Sequence, residues 1–266
     1  MNRSSFMSHR PVLFAAAVAA AGLALAACGS SSSSGATSAS SAASGKATAS
    51  TSSNSGTSLS GLAAGSTLFP AAVGNTWVYV ESLSAEKGTS TNRILSVAPT
   101  AGGQKVIMSS STDVPGLTTD SKPVTEALIF HSDGSISLPL TQLGSSAITI
   151  KSGGIVWPSA ADVSSGLPKT STLVMSLKEA GQTTTVTAHV VVQGAGSATV
   201  TVPAGTFKTT LINETINEKF AGVTVKMEIQ NWDATGVGPV KTDVISTAGG
   251  HTTTVSTQEL KSFTKG

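Results

Sequence analysis

The chain predicts an all-β protein, an antiparallel β-sandwich or up-and-down β-barrel preceded by a signal peptide and a disordered linker. Three observations carry this expectation. Charged residues make up 11% and aromatics 4% of the 266 residues, while Thr, Ser, Val and Gly dominate, a composition that favours strands and turns over charge-laced surface helices. From residue 68 onward, roughly a dozen segments of alternating or β-branched character follow one another at close spacing, broken by short Gly- and Pro-bearing turns. Helical periodicity is almost absent.

The first 27 residues predict a secretory signal. "MNRSSFMSHR" supplies two arginines, and "PVLFAAAVAAAGLALAA" then runs to residue 27 without a charge, the order of an n-region and an h-region. An uncleaved membrane helix is the bland alternative, but the run lies at the lower limit of what spans a bilayer. Its end argues for cleavage: Leu25, Ala26 and Ala27 ahead of Cys28 resemble the lipobox of bacterial lipoproteins. That resemblance implies a diacylglycerol on the Cys28 sulfur, cleavage before it, and an extracytoplasmic domain lipid-anchored to the cell membrane. Cys28 is the sole cysteine, so no intrachain disulfide is available and the thiol is read as an attachment point.

Residues 28–66 predict a tether. From Gly29 to Ser58 only Lys46 and Asn54 depart from Ser, Thr, Ala and Gly, too little apolar surface to offset the entropy of ordering the segment.

Residues 67–266 are expected to form one β-rich exported domain. "LFPAAVGNTWVYVESL" supplies a turn and then a strand with Trp77 and Tyr79 on one face. Strands follow at 91–98, 104–112, 124–131, 135–138 and 146–156, with Asp133-Gly134 as a hairpin turn. "WPSAADVSSGLPKT" interrupts the pattern with a loop and one helical turn after Pro158. Further strands are expected at 171–179, 182–193, 197–202, 207–219, 223–232, 238–246 and 252–263. "VTVKMEIQ" alternates most cleanly, with Val223, Val225, Met227 and Ile229 on the face to be buried.

"FPAAVGNTWVY" (69–79), "VTVPAGTFKTT" (200–210) and "TGVGPVK" (235–241) together resemble a group of bacterial exported β-proteins sometimes labelled TapB-like, in which these three phrases recur in this order. The resemblance implies an exported β-domain and brings no catalytic residues with it.

Charge and motif content narrow the function classes. Removing Arg3 and Arg10 with the leader leaves bases and acids equal at 14 each, so no nucleic-acid partner is expected. Ser84 and Lys87 stand at SxxK spacing, but in a hairpin turn and with no KTG to follow. His131, His189 and His251 are far apart and each alone, which does not match compact metal-ligand spacing; no metal and no cofactor is expected. Glu214 and Glu218 share a strand face, read here as solvated. Trp77, Tyr79, Trp157 and Trp232 are read as packing anchors, with an apolar-binding face as the alternative. The reading is a lipid-anchored envelope protein whose β-domain is a binding or interaction module and not an enzyme. Its expected partners are the membrane, through the diacylglycerol, and an envelope protein or apolar small molecule. A carrier of an acyl chain or other apolar envelope molecule, and more remotely an envelope hydrolase, are the alternatives. Replacing Cys28 with Ser is expected to leave the protein unacylated and unprocessed; mass spectrometry that still found a diacylglycerol, or a native N-terminus other than Cys28, would remove the lipobox.

Overall fold

The computed structural model describes residues 68–83, 86–115, 123–139, 148–179, 182–220 and 223–266. The signal, the lipobox with Leu25, Ala26, Ala27 and Cys28, the tether and Ser84 therefore lie outside the described residues. The elements run β1 (Thr76–Leu83), β2 (Glu86–Thr100), β3 (Gly103–Asp113), β4 (Val124–His131), β5 (Ile136–Pro139), β6 (Ile148–Ser152), β7 (Gly154–Trp157), α1 (Ala160–Ser165), β8 (Lys169–Glu179), β9 (Gln182–Val202), β10 (Gly205–Phe220), β11 (Val223–Ala234), β12 (Gly238–Ala248) and β13 (His251–Thr264). The 13 strands of the described residues join one sheet in the order β6-β8-β9-β10-β11-β12-β13-β1-β2-β3-β4-β5-β7, and each of these pairs is antiparallel. Of the two architectures the sequence allows, the chain takes the barrel.

Closure comes from one short stretch. β6 and β7 are separated only by Gly153, yet β6 pairs with β8 (Ile150↔Met175) and β7 with β5 (Leu138↔Ile155). The stretch therefore changes partner halfway along and joins both edges of the sheet, leaving a nearly closed barrel. Gly153 permits the change: its φ is +98° and a Cβ there would meet the Thr172 carbonyl oxygen at 2.0 Å. A side chain of any size would push β8 away.

Alternation sorts the residues. On β1 Trp77, Tyr79 and Glu81 point inward, and on β11 Val225, Met227, Ile229, Asn231 and Asp233 do so, as period-2 patterning requires. The helical turn expected after Pro158 is α1, whose Ser159 N-cap accepts from the Asp162 N–H while the Asp162 carboxylate accepts from the Ser159 N–H at 3.0 Å. This reciprocal pair satisfies donors that the first turn leaves free. Lys169 adds an ion pair to Asp162 at 2.9 Å.

The three phrases, at 69–79, 200–210 and 235–241, converge at one corner. Trp77 Nε1 donates to the Val237 carbonyl at 2.6 Å and Tyr79 Oη to the Pro239 carbonyl at 3.0 Å, in each case across 160 residues of chain. The Ala204 N–H, from the VPAGTF turn, donates to the Leu260 carbonyl at 2.9 Å, where β13 bulges against β1. Phe69 and Phe263 stack on the Trp77 ring at centroid distances of 4.9 and 5.2 Å. Gly238, at φ +93°, lies beneath them; a Cβ would come within 3.3 Å of Phe69. Trp77 is fully buried, so Trp77→Ala should remove both its stacking partners' support and the part-buried hydrogen bond to Val237. The expected loss is about 3–5 kcal/mol, read as a lowered urea midpoint at unchanged m-value; a near-native midpoint would place this ring outside the core.

Candidate functional site

Two opposing stretches of the barrel wall approach one another near its Phe69 end. β4, β5 and β7 contribute Leu128, Ile136, Trp157 and the adjoining Pro158. β10, β11 and β12 contribute Ile212, Asn231, Asp233 and Pro239, and Leu68 with Phe69 covers the space between. The remaining cavity holds about 40 Å³. Its lining is mostly apolar, and two lining residues each hold a buried polar atom without a partner: Trp157 Nε1, a donor, and Asp233 Oδ1, an acceptor. Each residue is only 9% exposed. Unpaired buried groups of this kind cost on the order of 1–3 kcal/mol apiece. Burial in these apolar surroundings pushes the Asp233 carboxyl up to about 7. Asn231 is held in place by the Thr242 hydroxyl, which donates to its Oδ1 at 2.8 Å.

The inner wall also carries a polar belt. Glu81 lies opposite Gln258, Gln258 opposite Thr242, and Thr242 opposite Asn231, so four neighbouring strands present polar side chains in register. On the other side Ser90 sits diagonal to Glu81 and Asn92 lies opposite Ser110. Glu126 on β4 and Glu214 on β10 stand one diagonal step beyond the two ends. All of these side chains are buried, and no Lys, Arg or His joins them among the described residues. Burial pushes the Glu126 and Glu214 carboxyls up to about 8, and both Glu126 oxygens and Glu214 Oε1 lack partners. Glu81 is raised for the same reason, opposed by hydrogen bonds from Gln258 and Ser90.

The expectation of a solvated face for Glu214 and Glu218 is therefore corrected. They share a face with Ile212 and Ile216, and that face turns inward; Glu214 is 1% and Glu218 7% exposed. Alternation alone identifies the shared face and leaves its direction open. The apolar neighbours at 212 and 216 were the available signal.

Trp77 and Tyr79 lie at the corner described above and do not line the cavity, whereas Trp157 does. Trp232 stands between the inward-facing Asn231 and Asp233, so period 2 turns it outward. It is half-buried, with the Lys241 ammonium 4.8 Å from the ring centroid. His131 Nε2 and Ser137 Oγ meet at 2.7 Å on paired strands, a nucleophile–base contact in form. The neighbouring acid, Asp133, instead closes the β4–β5 turn, its Oδ1 accepting from the Ser135 N–H and hydroxyl at 2.8 and 2.6 Å. His189 and His251 are exposed on other strands. Among the described residues no three His, Cys, Asp or Glu side chains are grouped to hold a metal ion.

Fold and site together define an antiparallel β-barrel with a polar inner belt and a small amphipathic cavity at one end. Residues 85–250 match the DUF3108-like family, well over half of the chain, and the protein belongs to that family. Two solved structures are similar in fold. One is a protein from Bacteroides fragilis NCTC 9343, described as exported and as having a YmcC-like fold, with a TM-score of 0.51 at 16% identity over 74% of this chain and 98% of that one. The other, from Parabacteroides distasonis ATCC 8503 and described as a lipoprotein, has a TM-score of 0.54 at 14% identity over 75% of this chain and 99% of its own. No curated protein matches the chain.

The buried acids predict how stability depends on pH. A carboxyl whose folded-state pKa is raised contributes most below its ordinary value of 4.5, and that contribution is lost as pH climbs to about 8. The unfolding free energy from denaturant titrations should accordingly fall between pH 5 and pH 8.5, by on the order of a few kcal/mol. Glu126→Gln and Glu214→Gln should each flatten the slope. Identical slopes in the parent and both variants would mean that these carboxyls are solvated.

Proposed function

We propose that the chain is a lipoprotein of the bacterial cell envelope, anchored through Cys28 and carried on the 28–66 tether, whose barrel acts as a binding or interaction module. The lipobox supports the anchor, and the similar structures described as an exported protein and a lipoprotein support the location. The TapB-like resemblance of the three phrases belongs to the same reading.

The observation that carries the module reading is how far side chains fill the interior. Trp77, Met108, Leu138, Ile155, Leu173, Ile216 and Leu260 are each under 2% exposed, and the cavity left between the walls is about 40 Å³. An acyl chain or drug-sized ligand takes roughly 300 Å³ or more. A partner is therefore met at the outer surface or at the small end cavity. A hydrolase would use the His131–Ser137 pair, but Asp133 is committed to the turn.

The test is lipid analysis of the full-length lipoprotein, together with photo-cross-linking in intact cells. The module reading expects no acyl lipid beyond the covalent anchor and a discrete envelope cross-link that depends on export. About one non-covalent lipid per chain, with no cross-link, would replace the module by the carrier.

A further inference from the structure

The two ends of the barrel differ. β1, β3, β8, β10 and β12 leave from the Phe69 end, and β2, β4, β9, β11 and β13 return to it. The exposed large hydrophobic side chains of the described residues are Val73, Leu95 and Leu167, at 54%, 48% and 57% exposure, and all three lie at this end. Val73 precedes β1, Leu95 follows the Arg93 that pairs with the first residue of β1, and Leu167 lies between α1 and β8. The Gly74 N–H donates to the Ile94 carbonyl at 2.9 Å, which brings the Val73 and Leu95 positions together. Neither position demands an apolar residue. Val73 sits in a turn closed by the Asn75 N–H on the Ala72 carbonyl at 3.2 Å, where polar residues dominate. Leu95 is the extra residue where the β2–β3 register shifts between Ile94 and Ser96, so it is left unpaired.

Charge divides the same way. Of the exposed charged side chains among the described residues, Arg93, Lys105, Lys208, Lys261 and Lys265 stand toward the Phe69 end, against Asp133 alone. None of the five bases belongs to an ion pair among the described residues. The opposite end balances Glu86 and Asp113 with Lys87 and Lys178, and Lys151 lies between the two ends. The chain that leads from Cys28 also joins the barrel at the Phe69 end, through Leu68. A basic surface with projecting apolar side chains, tied to a bilayer, suits anionic lipid: the bases meet lipid phosphates and the branched side chains enter the boundary between headgroups and acyl chains. A second copy of this end would bring like charges together. We propose that the Phe69 end docks on the anionic lipid surface to which Cys28 anchors the protein, with Val73 and Leu95 inserted. The assignment rests on the reading of Cys28 as the anchor, and it turns the β8–β9, β10–β11 and β12–β13 connections away from the membrane, toward partners.

Cys28 is the sole cysteine, so the acylated protein offers no free thiol and a cysteine introduced by substitution carries a single label. Full-length lipoprotein bearing Val73→Cys, Leu95→Cys or, at the opposite end, Lys87→Cys is labelled with an environment-sensitive fluorophore and reconstituted into vesicles that contain a doxyl-lipid quencher. In equal mixtures of phosphatidylcholine and phosphatidylglycerol, quenching should be strong at positions 73 and 95 and weak at 87. It should fall in phosphatidylcholine alone and on raising the salt concentration. Adding Lys105→Gln and Lys265→Gln to the Val73→Cys protein should lower the ratio of docked to undocked barrel by about tenfold. Quenching at 73 and 95 no greater than at 87 overturns the proposal, as does quenching that is indifferent to phosphatidylglycerol. A cross-link between two copies through position 95, without lipid quenching, overturns it in favour of a self-contact. Protein that does not float with phosphatidylcholine vesicles has lost the anchor and the proposal with it, whereas protein that floats with its labels unquenched has lost the docked orientation alone.

Discussion

A sheet of 13 strands has two edges, and the unpaired N–H and C=O groups along them must be paired, covered or left open to other chains. In this protein both are handled by one stretch of ten residues, β6, Gly153 and β7, which gives its first half to β8 and its second to β5. The rest of the architecture depends on that change of partner. Without it β8 and β5 would be free edges; with it the sheet has an inside, and alternation along every strand becomes a division between interior and exterior.

Closure at this strand number has a consequence for packing. Side chains fill barrels of about eight strands, and larger ones leave space. Here the interior is taken up by large residues at the Trp77 corner and by the approach of the β4–β5–β7 wall to the β10–β11 wall, with the end cavity between them. Filling is achieved with a mixed interior. Val, Ile, Leu and Met share the inner wall with Glu81, Glu126, Glu214, Gln258 and Asn231. A carboxyl in that setting is more stable neutral than charged, so the same residues that tile the wall make the barrel sensitive to pH. The corner contributes the opposite kind of interaction, with its indole and phenol donors each bonded to a backbone carbonyl and the indole ring stacked on Phe69 and Phe263.

The three phrases that stand out in the sequence owe their character to this corner. Trp77 and Tyr79 need carbonyls at Val237 and Pro239, and Gly238 between those carbonyls holds a φ of +93°, which L side chains rarely adopt, with the Phe69 ring 3.3 Å from where a Cβ would stand. Of these residues Phe69 and Pro239 reach the cavity, while Trp77, Tyr79, Val237 and Gly238 do not line it. The phrases thus mark a joint in the fold, while Asp233 and Trp157, which both line the cavity, are 76 positions apart and carry no local signal beyond the scarcity of tryptophan.

Local chemistry was enough to determine the all-β class, the Asp133-Gly134 hairpin and the helical turn after Pro158, because alternation and turn residues act over a few neighbours; the strand bounds it left partly wrong, since the strands expected at 182–193 and 197–202 are the single β9 and the one expected at 146–156 is split into β6 and β7. The direction in which an alternating face points is a property of the closed sheet. "TLINETINE" has Ile212, Glu214, Ile216 and Glu218 on one side whatever the fold, and only the curvature of the barrel turned those glutamates inward and Trp232 outward. Barrel rather than sandwich was likewise decided by tertiary structure, since it required β7 to reach β5 while β6 remained on β8. Pairing between strands distant in the chain is set by which faces can be buried together, and that quantity exists only once the whole sheet is assembled.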